Sequence, residues 1–143
     1  MLFSLTAYAR LGETEDQLVA RFGQSSLKTN GPLGPYFEFT KTGFVIKISL
    51  VNNHSGWEIY EKNTGDAITN EEQKQLLEIN SLDKKWALTS PSNAADKTWM
   101  KEDGSTAIRS DMGSSKIEFK SKECIDAEAA GYKKAHYSST EGF

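Results

Sequence analysis

An alternating stretch, Phe44–Val51, constrains the fold more than any other part of the chain. Large apolar side chains occupy every second position: Phe44, Ile46, Ile48 and Leu50. Side chains two apart in a strand point to the same face, so this stretch predicts a half-buried antiparallel strand. Its apolar face needs a second element to cover it.

A short amphipathic helix within Leu11–Gly23 is the expected cover. Thr14 is a suitable N-cap, and Gln17 follows at the spacing of a capping box. Gly23 suits the left-handed residue that commonly ends a helix. A helix this short is marginal alone in water, so its apolar side is predicted to pack on the sheet. That side consists of Leu18, Val19 and Phe22.

The spacing Gly12-x-Thr14-x-x-x-Leu18-Val19-x-x-x-Gly23 resembles the helix-opening motif of small bacterial envelope domains of the outer-membrane assembly lipoprotein type (SmpA-like). It is also similar to the repeat unit of the β-lactamase inhibitory proteins. In those families a short helix precedes an antiparallel sheet and packs on it, so the resemblance implies this fold and an envelope location. Two departures are Gln24-Ser25, where a proline commonly follows the glycine, and the lack of a lipidation cysteine near the start.

The rest of the chain predicts further strands and a second helix, which together give an α+β fold: an antiparallel β-sheet with short helices packed on one face. Strands are predicted at Tyr36–Thr40, Trp57–Lys62, Trp86–Leu88 and Lys116–Lys120, with a hairpin over Trp99–Arg109 that turns at Asp103-Gly104 in a type I′ geometry. The predicted turns and loops are 24–34, Lys41–Gly43, Asn52–Gly56 and 89–96. A capping box from Thr69 to Glu72 predicts the second helix, with Leu76, Leu77 and Ile79 on its apolar side. A weak helix over Ile125–Ala135 and a frayed end from His136 follow.

Residues 10–143 are expected to form a single domain. Residues 11–62 and 66–121 are candidate copies of one helix-plus-sheet unit, followed by a C-terminal tail at 122–143. A single sheet with two helices on one face explains the pattern equally well. Residues 1–9 are either a signal-peptide remnant that ends in Ala7-Tyr8-Ala9 or an N-terminal strand. We adopt the export interpretation, which predicts a periplasmic or secreted protein.

Composition and residue spacing argue against several functional classes. The net charge is −3 and no dense basic cluster occurs, so nucleic acid and anionic lipid are not expected partners. Cys124 is the sole cysteine, which excludes an internal disulfide. His54 and His136 have no ligand partner at metal spacing, and no stretch is long enough to span a membrane. No catalytic residue, metal or cofactor is therefore predicted.

Aromatic residues on the predicted strands are the remaining functional lead. The candidate binding residues are Tyr36, Trp57, Tyr60, Trp86 and Trp99. Such side chains also fill cores, but Tyr60 shares its predicted face with the charged residues Glu58 and Lys62 and is therefore the best candidate for exposure. Tyr36 shares its predicted face with Glu38 and Thr40.

These features favour a non-enzymatic binding or accessory domain that contacts another envelope protein through an aromatic-bearing sheet face. One alternative is a small hydrolase or ligand-binding protein with a site around His54. Another is a structural module of a larger envelope assembly.

Overall fold

In the part of the chain that the structure describes, eight strands form one antiparallel sheet in the order β1-β2-β3-β4-β8-β7-β6-β5. A computed structural model describes residues 10–91, 93–111 and 113–140, with side chains described up to residue 131. The strands are β1 (Leu27–Asn30), β2 (Pro35–Lys41), β3 (Phe44–Val51), β4 (His54–Lys62), β5 (Ala87–Leu88), β6 (Lys97–Met100), β7 (Thr106–Arg109) and β8 (Lys116–Lys120). The helices are α1 (Glu15–Phe22), α2 (Asn70–Ile79) and α3 (Lys122–Thr140). The predicted α+β class with an antiparallel sheet is confirmed; both interpretations of residues 1–9 lie outside the described residues.

Both predicted capping boxes are present, and they fix where α1 and α2 begin. The Thr14 hydroxyl accepts from the Gln17 backbone N–H at 3.4 Å, and the Gln17 side chain accepts from the Thr14 N–H at 2.9 Å. Thr69 and Glu72 make the same reciprocal pair at 3.1 and 2.9 Å. Each pair satisfies two backbone donors that have no partner inside the helix.

The core lies between one face of the sheet and the two capped helices. Its described members are Leu11, Leu18, Phe37, Phe39, Phe44, Ile46, Ile48, Leu50, Tyr60, Ile68, Leu76, Ile79, Trp99, Ala107, Ile117 and Phe119. Phe22 packs against this cluster, as predicted. The prediction for Val19 is wrong, because its side chain is 40% exposed. Leu18 and Phe22 are one turn apart and face the sheet together, whereas Val19 is about 100° further round the helix.

The two halves of the chain share an order of elements, and in each half a lysine side chain donates a hydrogen bond to a carbonyl at the C-terminal end of the helix. Each half is a helix followed by four strands, and the last strands, β4 and β8, pair to join them. Lys41, at the end of β2, donates to the Arg21 carbonyl near the end of α1 at 2.8 Å. Lys101, just after β6, donates to the Asn80 carbonyl at the end of α2 at 2.7 Å. Duplication of residues 11–62 and 66–121 remains a prediction, and the shared order of elements and the two corresponding lysine contacts support it.

Three connections differ from the predictions. The segment predicted as loop 24–34 contains β1, an edge strand whose four residues are all exposed and therefore lack an alternating pattern. The turn predicted over Asn52–Gly56 is shorter, because Asn52 and Asn53 both adopt positive φ (50° and 68°) and β4 begins at once. At the β6–β7 hairpin only Gly104 has a positive φ, and its N–H donates to the Lys101 carbonyl at 2.9 Å, so the turn is not type I′.

Helix α3 begins at Lys122, three residues before the predicted start, and continues to Thr140 beyond the predicted fraying point. It lies against the opposite face of the sheet from α1 and α2. Buried Cys124 adjoins Gly56 and Val51 there, and Glu128 forms an ion pair with Lys120 at 3.1 Å. The expectation that the helices share one face is therefore wrong for α3. Within the described chain, no helix combines the length and apolar character needed to cross a membrane.

Candidate functional site

The pairing of β4 with its neighbouring strands shows which face of the sheet Tyr60 lies on. Tyr60 pairs across the sheet with Ile46 and Ile117, so it points toward the helices. It is 0% exposed, and the prediction that Tyr60 is a surface residue is wrong. The alternation of side chains along β4 was predicted correctly, but the wrong set of side chains was assigned to the face toward the helices.

Tyr36 and Trp57 lie together on the face of the sheet opposite α1 and α2, which we call the outer face. Both pair across the sheet with Ser49, from β2 on one side and β4 on the other. Between them is a depression of about 40 Å³, which also has Lys47 and Ile59 in its lining. Lys47, Ser49 and Ile59 were not predicted as site residues, although Ile59 is two residues from Trp57 and therefore lies on the same face.

Both outer-face rings are held in place by neighbouring charged side chains. The Tyr36 hydroxyl donates to Glu38 at 2.7 Å, and desolvation together with that contact raises the pKa of Tyr36 well above its usual value. The Lys120 ammonium lies 4.6 Å from the centre of the Trp57 ring, a cation–π contact. Lys120 is itself paired with Glu128 at 3.1 Å.

A second apolar patch continues the outer face across β6 and β7. Met100 and Ile108 are 46% and 38% exposed and lie in the same cross-strand rows as Trp57 and Ile59. The charges on this face balance along β2, β3, β4 and β8. The acids are Glu38, Glu61 and Glu118, and the bases are Lys47, Lys116 and Lys120.

The other two aromatic candidates lie on the helix side of the sheet. Trp99 is 8% exposed and belongs to the core. The Trp86 indole N–H donates to the Leu77 carbonyl at 2.8 Å, and its ring centre lies 5.7 Å from that of Phe119. Of the five predicted binding residues, the structure therefore places only Tyr36 and Trp57 on the outer face.

His54 is exposed at the rim of a groove of about 210 Å³, which Asp103 and Glu123 also line. Its Nδ1 lies 3.2 Å from the Gly12 carbonyl oxygen, so its ring contacts backbone rather than a carboxylate. The described residues include no group of histidine, cysteine or carboxylate side chains arranged to hold a metal ion. The side chain of His136 lies outside the described part.

One buried acid on β4 was not predicted from the sequence. Glu58 is 0% exposed and accepts hydrogen bonds from the Ser55 hydroxyl and, at 2.9 Å, from the Tyr60 hydroxyl. Desolvation is the main cause that raises the pKa of Glu58 to about 7. A glutamate in an alternating strand normally marks the solvent face, so no sequence signal pointed to its burial.

Comparison with known proteins gave no match, whether to a family model, to a curated protein or to a solved structure.

Proposed function

We propose that this chain is a non-enzymatic binding domain whose outer sheet face docks a folded protein partner. The main support for the proposal is the placement of Tyr36 and Trp57 on either side of Ser49 on the outer face, which α1 and α2 leave uncovered and which α3 contacts around Gly56 and Lys120. Tyrosine and tryptophan are the side chains most enriched among residues that dominate binding energy.

Preorganisation of the two rings supports this function. Tyr36 is fixed by Glu38, and Trp57 is fixed beneath Lys120. A side chain that is already ordered loses less conformational entropy on binding, which typically saves about 0.5–1.5 kcal/mol per residue. The rings are therefore suited to act as rigid anchors.

Shape and charge favour a protein as the occupant. The depression between the rings is about 40 Å³, whereas small-molecule sites are commonly roughly 300–1,000 Å³. It therefore suits the tip of one apolar side chain. Three acids and three bases balance on the surrounding face, which gives no attraction for a polyanion. The second patch at Met100 and Ile108 widens the contact in the manner of a protein interface.

The proposed location is the bacterial envelope or the exterior, and the proposed partner is another envelope protein. This part of the proposal rests on the resemblance of Gly12–Gly23 to the SmpA-like and β-lactamase inhibitory families. The two helix-plus-sheet halves support that resemblance, because the inhibitory proteins are built from such a unit.

The proposal is tested with Tyr36→Ala and Trp57→Ala in quantitative binding to proteins purified from envelope extracts. Truncating a central aromatic anchor commonly costs about 2 kcal/mol or more of binding free energy. Each variant is therefore expected to bind the partner with roughly 30-fold lower affinity. Val19→Ala is the matched control, because Val19 is an exposed apolar residue on the opposite side of the molecule. A partner that binds both aromatic variants as tightly as the wild type would show that the outer face is not the docking surface.

A further inference from the structure

A short segment before α1 bridges the two halves of the molecule. We call Leu11–Glu13 the entry segment. The Gly12 N–H donates to the Ser55 carbonyl at 2.7 Å, and the Ser55 N–H donates to the Glu13 carbonyl at 2.7 Å. The Leu11 N–H reaches the side chain of Asn80, at the end of α2, at 2.9 Å. The entry segment is therefore fastened both to β4 and to α2.

Glu58 lies in the core beside this attachment, in surroundings that oppose a negative charge. Its cross-strand neighbours are Ile48 and Phe119, which are both apolar. Its carboxyl is hydrogen-bonded to the hydroxyls of Ser55 and Tyr60. Ser55 joins the two features, because its backbone holds the entry segment while its side chain holds Glu58.

The charged groups around Glu58 do not compensate for its burial. Glu13, in the entry segment, repels a negative charge on Glu58, whereas Arg21, on α1, attracts one. Arg21 already binds Glu13 through two nitrogen atoms, at 2.8 and 3.0 Å. Desolvation remains the largest influence, and it raises the pKa of Glu58 to about 7.

Three other polar side chains near the entry segment have hydrogen-bond partners of their own. The Lys101 ammonium donates to the Asn80 carbonyl at 2.7 Å, and Asn80 is itself uncharged. His54, on the solvent side of the entry segment, contacts the Gly12 carbonyl at 3.2 Å. The Tyr60 hydroxyl lies on the same strand as Glu58, and burial raises its pKa well above the usual value, so it stays neutral in the range where Glu58 titrates.

We propose that Glu58 and the entry segment form a pH-operated latch, in which loss of the Glu58 proton releases Leu11–Glu13 from β4 and α2. An ionised Glu58 gains most by contact with water. Detaching the entry segment breaks its three backbone hydrogen bonds to β4 and α2, uncovers Leu11 and ends the contact of His54 with the Gly12 carbonyl. It leaves the strand pairing of the sheet intact, so it gives water a route to the carboxylate without global unfolding. Release also uncovers the Ser55 end of the groove beside His54. The proposal does not depend on the function of the outer face.

Hydrogen exchange of the Gly12 and Ser55 amides tests the latch. Protection is measured by NMR from pH 5 to pH 8 and corrected for the intrinsic exchange rate. If the open form has an ordinary glutamate pKa, linkage predicts that the opening constant rises roughly 70-fold over this range. Glu58→Gln is expected to remove the rise. Glu61→Gln is the matched control, since Glu61 lies on the outer face of the same strand, and it should keep the rise.

Two outcomes would overturn the latch. One is a pH-independent opening constant for Gly12 and Ser55 in the wild type, or an unchanged rise in Glu58→Gln. The other is an opening constant for Gly12 and Ser55 that equals that of the Ile46 amide, in the middle of β3, at every pH, which would mean global unfolding rather than local release. Should Glu58→Gln fail to fold, Glu58→Leu matches the apolar neighbours of this position and provides the same comparison.

Discussion

The Tyr60 hydroxyl oxygen lies 2.9 Å from Oε1 of Glu58, and both side chains are completely buried between the sheet and the helices. A hydroxyl and a carboxyl are thus hydrogen-bonded to each other within the buried interior, and Tyr60 also belongs to the apolar core cluster. A buried acid of this kind makes stability depend on pH, and its partner hydroxyl becomes costly to remove.

Stability should fall as pH rises through the range in which Glu58 titrates. The folded protein binds this proton with a pKa of about 7, against 4.5 for an ordinary glutamate. Between those values the folded state holds more protons than the unfolded state, so the free energy of unfolding decreases as pH increases. Glu58 alone should account for roughly 3 kcal/mol over this range.

The measurement is urea unfolding from pH 4.5 to pH 8, compared between the wild type and Glu58→Gln. Glu72 and Asp103 have lowered pKa values and act in the opposite sense, with stability lost as pH falls through them. The difference between the two proteins isolates Glu58. Parallel pH profiles would contradict the prediction.

Removing the Tyr60 hydroxyl should destabilise the protein without altering its shape. Tyr60→Phe keeps the ring but deprives Glu58 of one of its donors, which is expected to cost about 1–3 kcal/mol. Tyr60→Ala also removes the ring contacts with Phe44 and Phe119 and should cost about 3–5 kcal/mol. Unfolding by denaturant measures both. Loss below 0.5 kcal/mol in Tyr60→Ala would contradict the burial of this residue.

The Cys124 thiol should be inert in the native protein. It is 0% exposed, and burial is the main cause that raises its pKa to about 12. Because the thiolate is the reactive form, a disulfide reagent such as Ellman's should label native Cys124 at least about 100-fold more slowly than free cysteine at pH 7.5. Full labelling in denaturant is the control. Rapid native labelling would show that α3 does not cover this thiol.

A methyl group at Gly56 should disturb the contact between α3 and the sheet. A Cβ there would lie 2.8 Å from a methyl carbon of Val51 and 3.3 Å from the Cβ of Cys124. Gly56→Ala is therefore expected to cost about 1–3 kcal/mol by overpacking. Gly131→Ala is the contrasting variant, because a Cβ at that helical position meets nothing within 4 Å and should stabilise slightly. Thermal unfolding compares the two variants, and equal stability would contradict the prediction.

Features encoded locally could be predicted from the sequence, whereas features set by distant pairing could not. Thr14 and Thr69 mark the helix starts because their hydroxyls bond to residues only three positions away. The inner face of β4 is set by Ile117 and its neighbours on β8, more than fifty residues away, so the sequence of β4 alone assigned Tyr60 to the wrong side. Tyr36 lies on the same face as Glu38, as the spacing of two residues within one strand predicted.

The pairing of β4 with β8 has a consequence for any attempt to divide the molecule. It joins the innermost strand of each half, so the edges of the sheet within the described chain are β1 and β5. In a fragment that stops after Lys62, the main-chain donors and acceptors of β4 that face β8 would be unoccupied, while those that face β3 would stay paired. An exposed strand edge tends to pair with another strand, so we expect two copies of the fragment to associate through β4. Sedimentation of the isolated fragment would then report a dimer.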